Sequence, residues 1–168
     1  KMRKILFIFT ICLVYSFSSI CLAYPNEKNG FRNFYWGESL QEVQANDDIY
    51  DLEYIGYNQG ENSVEYIAKL KNPYISNQES NSIIFYFWNN KLYEIYIDFY
   101  TNTANPEHLR QAMIRNFGEP KQEGVLLFVW YGQQTEISLS WGMHTMGLYL
   151  NNPYLKAEAI KDGSLKGW

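Results

Sequence analysis

Ser82-Ile83-Ile84-Phe85-Tyr86-Phe87-Trp88, then Asn89-Asn90-Lys91, then Leu92-Tyr93-Glu94-Ile95-Tyr96-Ile97-Asp98-Phe99-Tyr100 is the stretch that decides the fold of this 168-residue chain. Two runs of β-branched and aromatic residues flank an Asn-Asn pair, and asparagine tolerates the left-handed backbone that a tight hairpin turn requires. An antiparallel hairpin over 82–100 follows. In its second strand Tyr93, Ile95, Ile97 and Phe99 alternate with Glu94, Tyr96, Asp98 and Tyr100. Successive side chains of a strand point to opposite faces, so one face is apolar and the other mixes carboxylates with tyrosines. A half-exposed antiparallel sheet is expected.

Working outward, Tyr50 to Tyr57 and Ser63 to Leu70 read as a further hairpin around 58–62, with Val64, Tyr66, Ala68 and Leu70 on one face. Before it, Ser39 and Glu42 have capping-box spacing at the start of a short helix carrying Leu40 and Val43. The segment 71–81, with Pro73 and little apolar content, reads as a loop. After the central hairpin comes a well-punctuated helix: Asn105 caps it, Pro106 suits its first position, and Gly118 with Pro120 stops it. Leu109, Ala112, Met113 and Phe117 form its buried stripe. Strands over Val125 to Tyr131, Thr135 to Trp141 and Thr145 to Leu150 follow, and the tail from Pro153 is a candidate helix.

The order of elements predicts an α+β domain over 31–168, an antiparallel meander sheet with two short helices on one face, with a hint of a duplicated helix-then-strands unit. A polar arm over 24–30 precedes it. Phe34, Trp36-Gly37, Ser39 and Val43, then Leu92 to Phe99, then Leu109, Phe117-Gly118 and Pro120 resemble small exported bacterial α+β proteins with a "WG-x-S" helix start and an "FG-x-P" helix end. The layout is also similar to modules of the β-lactamase-inhibitor-protein type and of the small outer-membrane assembly lipoproteins. That resemblance implies protein binding through a sheet face rather than catalysis. Its motifs describe helix ends, so no functional residue is carried over from it.

The N-terminus reads as an export signal over 1–23: Met2-Arg3-Lys4, an apolar run from Ile5 to Ile20, and Cys21-Leu22-Ala23 before Tyr24. An uncleaved anchor and a lipoprotein acylated on Cys21 are the alternatives. Ser16, Ser18 and Ser19 weaken the first, and Ile20, standing where that acylation usually wants a small residue, weakens the second. The expected location is therefore periplasmic or secreted. Cleavage removes Lys1, Arg3 and Lys4, three positive charges, taking the formal charge from −4 to −7. Such an acidic product is a poor partner for nucleic acid or anionic lipid. Both cysteines, Cys12 and Cys21, leave with the signal, so no disulfide is expected in the domain and its stability must come from the core.

Chemistry-bearing patterns are few. His108 and His144 fall on different elements, no cysteine remains to join them, and a metal site or histidine mechanism has little to build on. Ser140 and His144 link a strand to a turn without a nucleophile elbow. Glu94 and Asp98 share a strand face about 13 Å apart, too far for a glycosidase pair. No cofactor and no enzymatic activity are expected. The remaining feature is the polar face of the central hairpin, where Tyr86, Trp88, Glu94, Tyr96, Asp98 and Tyr100 form a candidate binding surface. Tyrosine and tryptophan provide large contact area with a polar handle. The competing reading is that these rings merely stiffen the sheet or lie beneath a helix. An extracytoplasmic protein partner is the leading expectation, in an inhibitor or immunity-like role; a small ligand or glycan is the alternative, and an enzyme with a site assembled from distant residues is the third reading.

Overall fold

The computed structural model describes residues 23–122, 124–143 and 145–166. Residues 1–22, all but the last of the segment read as an export signal over 1–23, and His144 lie outside the described residues, so the readings made of them have no structural counterpart. The described chain is α+β, as expected. Strands β1 (Gly30–Phe31) and β2 (Phe34–Tyr35) form a small ribbon, and helix α1 (Leu40–Gln44) follows. Then come β3 (Ile49–Asn58), β4 (Ser63–Leu70), β5 (Tyr74–Ile75), β6 (Gln78–Trp88) and β7 (Lys91–Phe99). Helix α2 (Pro106–Phe117) leads into β8 (Lys121–Gln122), β9 (Leu127–Trp130), β10 (Glu136–Trp141) and β11 (Met146–Asn151), and helix α3 (Pro153–Lys166) is the last described element.

One large antiparallel sheet runs in the order β3-β4-β6-β7-β11-β10-β9-β8, with β5 added to the start of β6. The order is a near palindrome. Each half is a short helix followed by meandering strands, and the last strands of the two halves, β7 and β11, pair at the centre. This is the arrangement hinted at by the repeated order of elements. Both edges are blunted, β3 by two register shifts and β8 by its two-residue length, which discourages edge-to-edge pairing.

Local chemistry explains the ends of the elements. Ser39 and Glu42 make a complete capping box at α1, and the Asn105 side chain accepts from the His108 N–H at the start of α2. Gly118, at φ 79°, ends α2 in a backbone state that L side chains rarely adopt. Asn89 and Asn90 both take positive φ, 48° and 59°, as the two-residue hairpin turn demands. Ser76 and Asn77 do the same between β5 and β6, which corrects the loop expected over 71–81. The strand was hidden because its buried residues are polar: Ser80 donates to the Pro73 carbonyl, and Gln78 accepts from the Asn105 N–H.

The core lies on one face of the sheet. Phe85, Phe87, Leu92, Ile95, Ile97, Ile137, Leu139, Leu148 and Leu150 meet Val43 of α1 and Leu109 and Met113 of α2. Burying each such side chain contributes on the order of 1.5–3 kcal/mol. The arm over 24–30 is firmly tied to this body. Tyr24 packs edge-on against Phe117, with ring centroids 5.3 Å apart, and Glu27 accepts from the Thr135 N–H. Gly30 is obligatory here, because at φ 147° a Cβ would sit 1.9 Å from the Phe34 carbonyl oxygen. No helix among the described residues is long and apolar enough to cross a membrane.

Candidate functional site

The face of the sheet opposite the core carries the sequence-predicted residues, and the register says which of them meet. Glu65 of β4 faces Tyr86 of β6, which faces Glu94 of β7, and Glu94 faces Asn151 of β11. One pair along, Ile67, Ile84, Tyr96 and Tyr149 form the next cross-strand row, with Ser138 of β10 extending it. Ser82, Asp98, Gly147 and Ser140 make the row beyond. Tyr149, Glu65, Ile67 and Ile84 were not singled out from the sequence. Their parity was readable, but the β7–β11 and β4–β6 pairings that bring them together were not.

One irregularity changes the expected alternation. Phe87 pairs with Leu92 while Tyr86 pairs with Glu94, so β7 holds one extra residue at Tyr93. The bulge puts Leu92 into the core and leaves Tyr93 fully buried outside that core cluster, between Glu61 and Ser63 of the β3–β4 hairpin. Burial, first, and the Glu61 carboxylate raise the Tyr93 phenol above its ordinary value. It stays a neutral donor.

Helix α3 divides this outer face in two. It covers the end near the Asn89-Asn90 turn, where the Asp162 carboxylate accepts from Trp88 Nε1 at 3.1 Å and from the Asn62 amide. Gly163 allows the helix to touch the β3–β4 turn, since a Cβ there would lie 2.2 Å from the Gly60 carbonyl oxygen. Lys156 pairs with Glu94, whose side chain is only 6% exposed. Burial is the main influence on Glu94 and raises its carboxyl above the ordinary value, Lys156 pulls it down, and Glu61 and Glu136 push it up again. The reading of Glu94 as part of the binding surface is therefore corrected, since its carboxylate is buried against α3, while Trp88 is half-buried with its indole N–H held by Asp162 of that helix.

The other end is open. Tyr96 and Tyr149 stack with centroids 4.4 Å apart and planes at 28°. The stack needs Gly147, because a Cβ there would come within 2.6 Å of the Tyr96 ring. The Tyr96 hydroxyl donates to Asp98 Oδ1 at 3.3 Å, and Asn81 donates to Asp98 Oδ2 at 2.8 Å. Tyr86 lies edge-on to Tyr93 at 6.4 Å. Tyr86, Tyr96, Tyr149, Ile67, Ile84 and Asp98 are all half-buried, held by neighbours yet reachable. Burial first, then nearby carboxylates, raise the phenols of Tyr86, Tyr96 and Tyr149, so they remain protonated at neutral pH.

Tyr100 stands apart. It follows β7, and its carbonyl accepts from the N–H groups of Thr103 and Ala104 in the turn towards α2. His108 sits on the first turn of α2, its Nδ1 3.4 Å from the Gln78 side-chain amide. A second feature is a cavity of about 200 Å³ on the core side, lined by residues including Tyr24, Phe31, Phe117, Thr135, Ile137 and Leu150. Its Thr135 hydroxyl is already engaged, accepting from Trp36 Nε1 at 2.7 Å. Among the described residues no group of three His, Cys, Asp or Glu side chains is placed to hold a metal ion. No protein-family model matches the chain, and no curated protein and no solved structure matches it.

Proposed function

We propose that this is an exported, non-catalytic binding protein that recognises another extracytoplasmic protein through the open half of its outer sheet face. The observation that carries the reading is the half-buried Tyr96–Tyr149 stack over Gly147, bordered by Ile84, Tyr86 and Asp98, which are half-buried as well. Rigid aromatic area costs little conformational entropy on binding and is enriched where binding energy concentrates. The export signal read over 1–23 supplies the compartment, and the resemblance to β-lactamase-inhibitor-type modules favours a sheet face as the contact. An inhibitor or immunity-like role against a basic enzyme is the specific form that the acidic charge favours.

The test is affinity capture from envelope and culture-medium proteins of the source cells, followed by hydrogen exchange on whatever complex is retained. Capture by the wild-type protein, loss with Tyr96→Ser/Tyr149→Ser, and protection centred on β6, β7 and β11 support the reading. Protection confined to α2 or the β3 edge overturns it. A second reading, a carrier of a small ligand, has the cavity beside Tyr24 and Phe117 as its support. It predicts a ligand-dependent emission change from Trp36 or Trp130, which hydrogen-bond beside that region.

A further inference from the structure

Two of the half-buried tyrosines of the open face have a carboxylate beside them: Glu65 directly across from Tyr86, and Asp98 under the Tyr96 hydroxyl. The ion pairs Lys69–Asp51, Arg110–Glu107 and Lys156–Glu94 involve neither of these two acids. At the covered end the same chemistry is completed from within the chain. There Glu94, beside the buried Tyr93, receives the Lys156 ammonium from α3. At the open end, among the described residues, the pairs Tyr86 with Glu65 and Tyr96 with Asp98 take part in none of these three ion pairs. Asp98 keeps acceptor capacity for one, since its two oxygens each accept a single hydrogen bond from Asn81 and Tyr96, and a carboxylate has about four lone-pair sites.

We infer that the partner is a basic protein segment presenting arginine side chains, one guanidinium lying on Tyr96 against Asp98 and another on Tyr86 against Glu65. This rests on the open face being the docking surface. Arginine suits it better than lysine because a planar guanidinium stacks on an aromatic ring while its fork of N–H groups meets a carboxylate in two bonds. The formal charge of the whole chain, −4, adds long-range attraction for a basic partner and makes association salt-dependent.

The probe is an acetylated hexa-arginine peptide, titrated into the protein while backbone amide shifts are followed, with hexa-lysine alongside. Saturable binding is expected, with the largest shifts at Ile84, Tyr86, Tyr96 and Tyr149, and weaker binding of hexa-lysine. Glu65→Gln/Asp98→Asn is expected to weaken hexa-arginine binding by about tenfold, whereas Asp47→Asn/Glu119→Gln, which removes equal charge elsewhere, changes it by less than about twofold. Equal weakening by the two double variants, or none by either, overturns the inference. The same variants applied to a captured partner separate the two claims. A partner lost with Tyr96→Ser/Tyr149→Ser but retained by Glu65→Gln/Asp98→Asn leaves the docking face standing and the arginine inference refuted. A partner indifferent to the tyrosines removes the docking face itself.

Discussion

The two ends of the outer sheet face are built from the same residue types and put to opposite uses. Under α3, Tyr93, Glu94 and Trp88 find their partners inside the chain, in Glu61, Lys156 and Asp162. Beyond the helix, Tyr86, Tyr96, Tyr149 and Asp98 keep their rings and oxygens half in solvent. Aromatic and acidic character is common to both ends, so it does not by itself mark the proposed contact surface. What distinguishes the ends is the burial of Tyr93 and Glu94 and the Lys156 ammonium that α3 brings to Glu94.

The comparison breaks most visibly in stability. Tyr93→Ala removes a fully buried ring and two hydrogen-bonding neighbours and is expected to cost about 3–5 kcal/mol, read by denaturant unfolding. Lys156→Met leaves Glu94 buried without its cation, and because Lys156 is partly exposed the expected loss is about 2 kcal/mol, below the roughly 3–5 of a fully buried pair. A stability change below ~0.5 kcal/mol in Lys156→Met would mean that α3 does not seal this end. Tyr96→Ser/Tyr149→Ser is expected to cost less than Tyr93→Ala, since both rings are only half-buried. Its effect belongs to partner capture.

A pH measurement sharpens the same contrast. The Glu94 carboxyl is raised in the folded state above its ordinary 4.5, chiefly by burial, so the folded protein holds that proton more tightly than the unfolded one. Its contribution is fully present below about 4.5 and is lost as pH rises through the folded value. Glu42, Asp51 and Glu107 are lowered by their hydrogen-bonding partners and act with the opposite sign. The difference between the wild type and Glu94→Gln isolates the site: the stability advantage of the glutamine variant should grow as pH rises from 4.5 towards neutrality. The smallest effect is expected from Gly147→Ala, whose methyl group displaces the Tyr96 ring and should disturb tyrosine stacking more than unfolding.

Much of the architecture was written locally. The Asn89-Asn90 turn, the Ser39–Glu42 capping box and the Asn105, Pro106 and Gly118 signals each act over a few residues, and each appears where its chemistry placed it. The candidate site was only half legible because it depends on long-range pairing. Tyr86, Tyr96 and Asp98 could be assigned to one face by alternation, but Tyr149 joins them only through the β7–β11 register, and no short-range signal sets that. The bulge at Tyr93 inverted the parity expected for one residue. Glu94 and Trp88 read as exposed because the helix that covers them begins 59 residues after Glu94, at Pro153. Gly163, the feature that permits its close approach, looks from the sequence like a helix breaker.

The most direct test sets one variant from each end side by side in quantitative capture of the same envelope and medium proteins: Trp88→Phe, which loses the indole bond to Asp162, and Tyr96→Ser/Tyr149→Ser. A partner held equally by the wild type and Trp88→Phe, and lost from the tyrosine variant with its fold intact, is the predicted result. Loss from Trp88→Phe with retention by the tyrosine variant would place the contact at the covered end and contradict the division proposed for this face.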